Sequence, residues 1–295
     1  MSEVYLNGEF IPLAQARIPV MDRGFLFGDG VYEVIPAYGG RPFRLSHHMQ
    51  RLDDSLRGIR MDNPLTRDAW AQICYRLIAA APEGDHLIYL QVTRGADPSR
   101  NHLFPVGVEP TVLVMSWAAK PRSPEIAERG IPAITLEDIR WHRCDIKTTA
   151  LLANVLLRQE AADAGAEEAI LIRNGLVSEG SSTNPFIVKG GEIITPPKSN
   201  HLLPGITRDL VLELAREAGI PCAERELAEH ELPGADEIWI SSSSREVVPV
   251  TRLNGEPVGT GMPGPLWRRM DALFQAYKAQ VPSSPPPSSS GRSAG

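Results

Sequence analysis

The chain has 295 residues, 42% of them hydrophobic and 22% charged, which suits a globular enzyme and leaves room for two domains with substantial cores. A net charge of −6 without any Lys/Arg run excludes the electrostatic footprint of a nucleic-acid binder, and no run of about 18 apolar residues is present to span a membrane. Three widely spaced cysteines, Cys74, Cys144 and Cys222, exclude a disulfide framework and a zinc spacing. Met1–Tyr5 has neither the basic nor the apolar region of a signal peptide, so a cytoplasmic protein is expected.

In chain order, Val4–Pro12 reads as a hairpin turning at Asn7–Gly8, because Asn-Gly favours a type I′ turn. Gly30–Tyr38 reads as a strand closed by Gly39–Gly40. Ser46 is placed to cap a helix whose apolar face is Met49, Leu52, Leu56 and Ile59. A second helix is predicted through Arg67–Ala81. Strands follow at His86–Thr93 and Thr111–Trp117, either side of the loop Arg94–Pro110. Ala118–Pro124, with two prolines and little apolar content, reads as a linker.

Beyond it, Ala150–Ala164 is predicted helical, with Leu152, Val155, Leu156 and Gln159 in register. Ala169–Arg173 and Leu176–Ser178 flank Asn174–Gly175, a second hairpin signal, and Asn184–Val188 and Glu192–Thr195 flank Gly190–Gly191. Ile206–Ala218 reads as a helix and Asp236–Ile240 as a strand. Hairpins with interspersed helices predict an α+β, antiparallel-rich architecture, not a doubly wound parallel sheet. The expected division is a domain over 1–117, a linker over 118–124, a second domain over 125–281 and a tail over 282–295. That tail holds four prolines and six serines in 14 residues and is expected to be disordered.

The chemistry centres on Lys147, just before the third predicted helix, and on Glu179, which opens Glu179–Gly180–Ser181–Ser182–Thr183–Asn184 thirty-two residues later. A single lysine is ordinarily a solvated cation and a Ser/Thr/Asn cluster ordinarily a turn. Together and in this order they suggest a lysine Schiff base to pyridoxal phosphate, with the carboxylate facing the pyridine nitrogen and keeping it protonated. Leu203–Asp209 opens a helix whose free N–H groups at Ile206 and Thr207, with the Thr207 hydroxyl, would form a phosphate site. Ser242 and Ser243, in a loop after a strand, would add hydroxyls, and Arg51 would add charge. Ser182 and Thr183 complete the expected cofactor set. Cys144 reads as a packed small residue.

These residues together resemble the fold-type IV pyridoxal-phosphate enzymes, the class IV aminotransferases. The matching segments are Asp22–Arg23–Gly24–Phe25–Leu26–Phe27–Gly28–Asp29–Gly30–Val31–Tyr32–Glu33, the stretch through Lys147, Glu179–Asn184, Leu203–Arg208 and Ser242–Glu246, in family order from about residue 20 to 250. The resemblance implies a small N-terminal α/β domain and a larger C-terminal antiparallel-rich β domain with helices. It also implies pyridoxal phosphate as cofactor, Lys147 as the catalytic residue, and a homodimer with its sites at the subunit interface.

Within the family, Tyr89–Gly95 with Ser99–Pro105, and Glu137–Trp141 with Arg143–Lys147, resemble the branch that transaminates D-amino acids with 2-oxo acids. There an Arg-x-His pair and a tyrosine trap the substrate carboxylate, which carries over to Arg100, His102 and Tyr32, the loop reaching across from the neighbouring subunit. A planar guanidinium suits two-point carboxylate binding. The chain departs from the pattern at Pro36, Pro185 and Arg245. Branched-chain L-amino acid or amine transamination on the same fold, and aminodeoxychorismate lyase, are the alternatives. The Arg100/His102 pair weighs against both.

Overall fold

The computed structural model describes residues 3–280; the Pro/Ser-rich stretch 282–295, expected to be disordered, lies outside the described residues. Six strands, β1 (Glu3–Leu6), β2 (Glu9–Pro12), β3 (Gly30–Tyr38), β4 (Arg41–Pro42), β5 (His86–Thr93) and β6 (Thr111–Ala118), form one sheet in the order β2-β1-β6-β5-β3-β4. Every neighbouring pair in it is antiparallel. The first turn forms as Asn-Gly dictates, with Asn7 at φ 49° and Gly8 at φ 100°.

Three helices accompany this sheet: α1 (Arg23–Phe27), α2 (Leu45–Gly58) and α3 (Arg67–Ala79). The expected apolar face of α2 holds, since Met49, Leu52 and Leu56 are buried with Trp70 and Leu77 of α3 against Ile35, Ile88 and Leu90 of the strands. Ser46 does not cap α2. The chain enters the helix through Arg44, a left-handed residue at φ 51°, and Ser46 lies inside the first turn beside His47. Arg44 is held there by two bonds to Glu213, at 2.6 and 2.7 Å. A tertiary ion pair therefore replaces the local cap. The adjoining face of α2 is polar yet buried: His48, Arg51 and Ser55 recur at helical spacing and turn towards the site described below.

The remaining strands are β7 (Ile131–Glu137), β8 (Glu168–Arg173), β9 (Leu176–Gly180), β10 (Asn184–Lys189), β11 (Glu192–Thr195), β12 (Cys222–Glu224), β13 (Glu237–Ser242), β14 (Glu246–Leu253) and β15 (Glu256–Pro257). They form a second sheet in the order β12-β11-β10-β13-β14-β7-β8-β9, with β15 on β14. It is antiparallel except where β7 lies parallel to β14 and β8, and β11 parallel to β12. The later helices are α4 (Pro124–Arg129), α5 (Leu152–Asp163), α6 (Ile206–Glu217) and α7 (Pro265–Ala279). One face of the sheet packs on α6 and α7 through Phe186, Trp239, Leu210, Trp267 and Phe274, joined by Phe43 from the first sheet's side. The arrangement is α+β, as expected from the hairpins.

The second half of the chain also departs from the sequence reading. The helix predicted from Ala150 begins at Leu152, and its expected apolar register faces outward: Leu152, Val155 and Leu156 are 73%, 60% and 53% exposed. Leu157 and Ala161 make the inward contacts instead. The reading also passes over α4, β7, β12, β14, β15 and α7. Pro249 in the middle of β14 argues against a strand, whereas α7 carried a usable signal, its buried Trp267, Met270 and Phe274 falling at helical spacing.

Candidate active site

Lys147 lies in an extended segment, not on a helix, and α5 begins only at Leu152. That segment is sewn to the first sheet. Tyr32 N–H donates to the Lys147 carbonyl at 2.9 Å and Thr149 N–H to the Gly30 carbonyl at 3.0 Å. The Lys147 N–H itself donates to Ser55 Oγ on α2 at 3.1 Å. With its backbone fixed on both sides, the lysine has only its side chain to move. Its Nζ lies 4.4 Å from the ring centroid of Tyr32, which in turn stacks on Tyr89 at 5.6 Å.

Glu179, on β9, enters from the second sheet and is buried. Burial pushes its carboxyl above the usual range, while the Arg140 guanidinium bonded to it, and Lys147, pull the other way. Arg140 is itself clamped by Asp138, its Nε and Nη2 each donating at 2.9 Å, and Arg173 and Ser178 also donate to Asp138. Burial works against the Asp138 charge, but these donors win and hold its carboxyl down at about 2. Arg140 was not singled out from the sequence. Its only signal was its place two residues after Asp138 in the Glu137–Trp141 segment, and nothing local indicates that it reaches a residue 39 positions away.

Lys147, Tyr32, Glu179 and Ser182 line a cavity of about 560 Å³ and also a smaller one of about 150 Å³ that runs inward from it. The inner cavity ends at the start of α6, where Gly205 is the N-cap and no side chain caps the helix. A Cβ on Gly205 would collide with Asn184 Oδ1, so only glycine fits this approach. Ile206, Thr207, Ser242 and Ser243 line this end, and the Ser241 hydroxyl there is buried without a partner. Uncapped N–H groups, the positive helix end and an orphaned hydroxyl fit an anion with several acceptor oxygens. Arg51 lines the wall, oriented by Glu33 through two bonds of 2.7 Å and donating to the Pro204 carbonyl at 3.1 Å. The residues present therefore fit pyridoxal phosphate, with a lysine, a buried carboxylate and an anion cradle lining the same inner cavity.

Three of the expected residues line neither cavity of this one chain. Thr183 does not line either cavity; its hydroxyl donates to the buried Glu168 at 3.0 Å, which anchors the turn before β10. Arg100 and His102 are exposed and do not meet Lys147 within one chain. They pack on Phe27, the Arg100 guanidinium carbon 5.0 Å and the His102 ring 5.2 Å from its centroid. Arg245, the unusual residue of the serine turn, points away to Glu167 at 3.0 Å and leaves the cradle unchanged. Cys144 packs as expected, and burial pushes its thiol up to about 11.

A half-buried lysine and a buried carboxylate brought together from two sheets and backed by a helix-start anion cradle define a cofactor-dependent enzyme. Residues 30–253 match the sequence model of amino-transferase class IV, and the chain belongs to that family. It is similar to D-alanine aminotransferase of Staphylococcus epidermidis, 40% identical over 277 residues that cover 94% of this chain and 98% of that one. It is equally similar to D-alanine aminotransferase of Bacillus licheniformis, at 40% over 273 residues, covering 92% and 96%. Among solved structures, the branched-chain amino acid aminotransferase of Escherichia coli superposes with a TM-score of 0.88 at 30% identity, covering 93% of this chain and 94% of that one. The T.th. branched-chain amino acid aminotransferase with pyridoxamine 5′-phosphate superposes at 0.89 and 27%, covering 95% of each chain.

Proposed function

We propose that the chain is a homodimeric, pyridoxal-phosphate-dependent aminotransferase of D-amino acids, of the type D-alanine + 2-oxoglutarate = pyruvate + D-glutamate. The observation that carries this reading is the meeting of Lys147, Tyr32 and Glu179 at one cavity that ends in the uncapped start of α6. Relatives 40% identical over 94% and 92% of the chain, both D-alanine aminotransferases, support the substrate class. The similar branched-chain structures stand at 27 to 30% identity.

Lys147 would hold the cofactor covalently, Glu179 would face its pyridine nitrogen, and Ile206, Thr207, Ser182, Ser242, Ser243 and Arg51 would hold its phosphate. When bound, pyridoxal phosphate supplies a sink for the electron pair left on Cα after its proton departs. The chain does the rest. Lys147 Nζ, tethered to a fixed backbone, takes the Cα proton and returns it. Tyr32, with Arg100 and His102 from the second copy, binds the α-carboxylate and turns one Cα–H towards Nζ, which selects the enantiomer.

The surface supports a second copy. Val155 lines the outer cavity yet is 60% exposed, beside exposed Leu152 and Leu156, and Leu103, Phe104 and Val106 stand out of the loop that carries Arg100. Exposed apolar side chains grouped on one helix face and on one loop are the kind of surface a second copy would cover. Three unpaired cysteines suit the reducing cytoplasm, and among the described residues no helix is long and apolar enough to cross a membrane. We place the domain boundary at 118–124, between the end of β6 and the Ser123-capped start of α4.

A coupled assay of each alanine enantiomer with 2-oxoglutarate tests the reading. Pyruvate should form from D-alanine and only marginally from L-alanine. A preference for L-alanine or L-leucine would replace it with the branched-chain alternative.

A further inference from the structure

Asp29 ends the turn between α1 and β3 and has no part in the chemistry above. Its carboxylate is shared by two arginines. Arg23 Nε donates to Oδ2 at 2.8 Å, while Arg94 donates through Nε to Oδ2 at 2.8 Å and through Nη2 to Oδ1 at 3.0 Å. Neither arginine stops there. Arg23 Nη1 donates to the carbonyl of Asn101 at 2.5 Å. Arg94 Nη2 donates to the carbonyl of Ile59 at 2.7 Å, and its guanidinium carbon lies 3.8 Å from the ring centroid of Phe104. The same turn presents Phe27, on which Arg100 and His102 rest.

The base of this assembly is dry and its tip is wet. The side chains of Arg23, Arg94 and Asp29 are 4%, 10% and 13% exposed, whereas Arg100 and His102 are exposed. A long connection without secondary structure is ordinarily mobile, and a two-point carboxylate trap works only if its fork is held in place. Here the backbone between the two trapping residues is bonded directly to an arginine that Asp29 orients.

We infer that Asp29 is a positioning residue for substrate-carboxylate binding, acting through Arg23 and Arg94 to fix the loop that presents Arg100 and His102. The inference rests on the reading that those two residues bind the α-carboxylate. Asp29 touches neither of them, so its effect is on their placement.

The test is steady-state kinetics of the cofactor-loaded enzyme with D-alanine, for Asp29→Asn, Arg23→Gln and Arg100→Ala. Asp29→Asn keeps the shape and removes the charge; Arg23→Gln removes the link to Asn101 and covers the case in which the first variant folds poorly. Loss of one charge-assisted anchor should raise KM about 5- to 50-fold while kcat stays within about threefold. The visible cofactor absorbance should be unchanged, and limited proteolysis within 94–110 should quicken. An unchanged KM in both variants, with Arg100→Ala raising it, overturns the inference and leaves the carboxylate reading standing. An unchanged KM in Arg100→Ala as well overturns that reading and this inference with it. A fall in kcat together with loss of cofactor would mark Asp29 as a general structural residue and also overturns the inference.

Discussion

Lys147 Nζ lies 4.4 Å from the ring centroid of Tyr32, and the same two residues are joined by a backbone bond of 2.9 Å. The amine is thereby registered to β3 in the first sheet, while Glu179 rides on β9 in the second. The site is assembled only when both sheets are in place.

Lys147→Ala should leave these backbone bonds, and therefore the fold, intact. Turnover should fall by more than about 10³-fold, since on the proposed reading one amine serves as anchor and proton carrier. Circular dichroism and the unfolding midpoint should match the wild type. Activity within tenfold of the wild type would remove Lys147 from the chemistry.

Glu179→Gln keeps the shape of the side chain and its contact with Arg140 but removes the charge that the proposed reading sets opposite the pyridine nitrogen. We expect kcat to fall about 10²-fold, as for loss of a positioned electrostatic group, with little change in the KM for D-alanine. Steady-state kinetics at saturating cofactor check this, and near-normal kcat would place another residue at the ring nitrogen.

Arg140→Met should act first on stability. It leaves the buried Glu179 and Asp138 carboxylates without their shared guanidinium, and breaking a buried ion pair on one side costs about 3–5 kcal/mol. The urea midpoint reads the loss. An unchanged midpoint would mean that Arg173 and Ser178 satisfy Asp138 unaided.

Legibility differed between local and tertiary features. Asn7–Gly8 and Asn174–Gly175 form their turns because both residues accept positive φ, at 49° and 100° and at 53° and 76°. Met49, Leu52 and Leu56 were readable because helical period and burial agree. Ser46 misled because the entry of α2 is set by Arg44 and Glu213, 169 positions apart. Leu152, Val155 and Leu156 have the period of a core face yet lie outside, because period alone does not say which way an apolar face turns. In the site, Lys147, Glu179, Ser182 and the α6 start met as expected. Thr183 was taken by Glu168, a carboxylate no local pattern connects to it. Arg140 was missed for the same reason.

Acid should unfold the protein through two depressed carboxylates. Burial alone would raise Glu33, but Arg51 and His48 bring it from 4.5 to about 2, and Asp138 falls from 3.8 to about 2. Because the folded values lie below the unfolded ones, this stability is full above about pH 5 and drains away towards pH 2, on the order of 2–3 kcal/mol per group. Urea unfolding from pH 7 to 3 measures it. A midpoint that is flat across pH 5 to 3 would contradict the assignment.

Leu156→Glu places a charge on the exposed apolar face of α5. Light scattering should show a dimer for the wild type and a monomer for the variant, and the monomer should lose D-alanine turnover along with the second copy's Arg100 and His102. A fully active monomer would require the carboxylate trap to come from the same chain.

Borohydride reduction of the yellow protein followed by peptide mapping tests the central assignment most directly. The account predicts one pyridoxyl group per chain, on the peptide that contains Lys147. A label on Lys120, Lys189, Lys198 or Lys278, or no label on a protein that still turns over D-alanine, would contradict it.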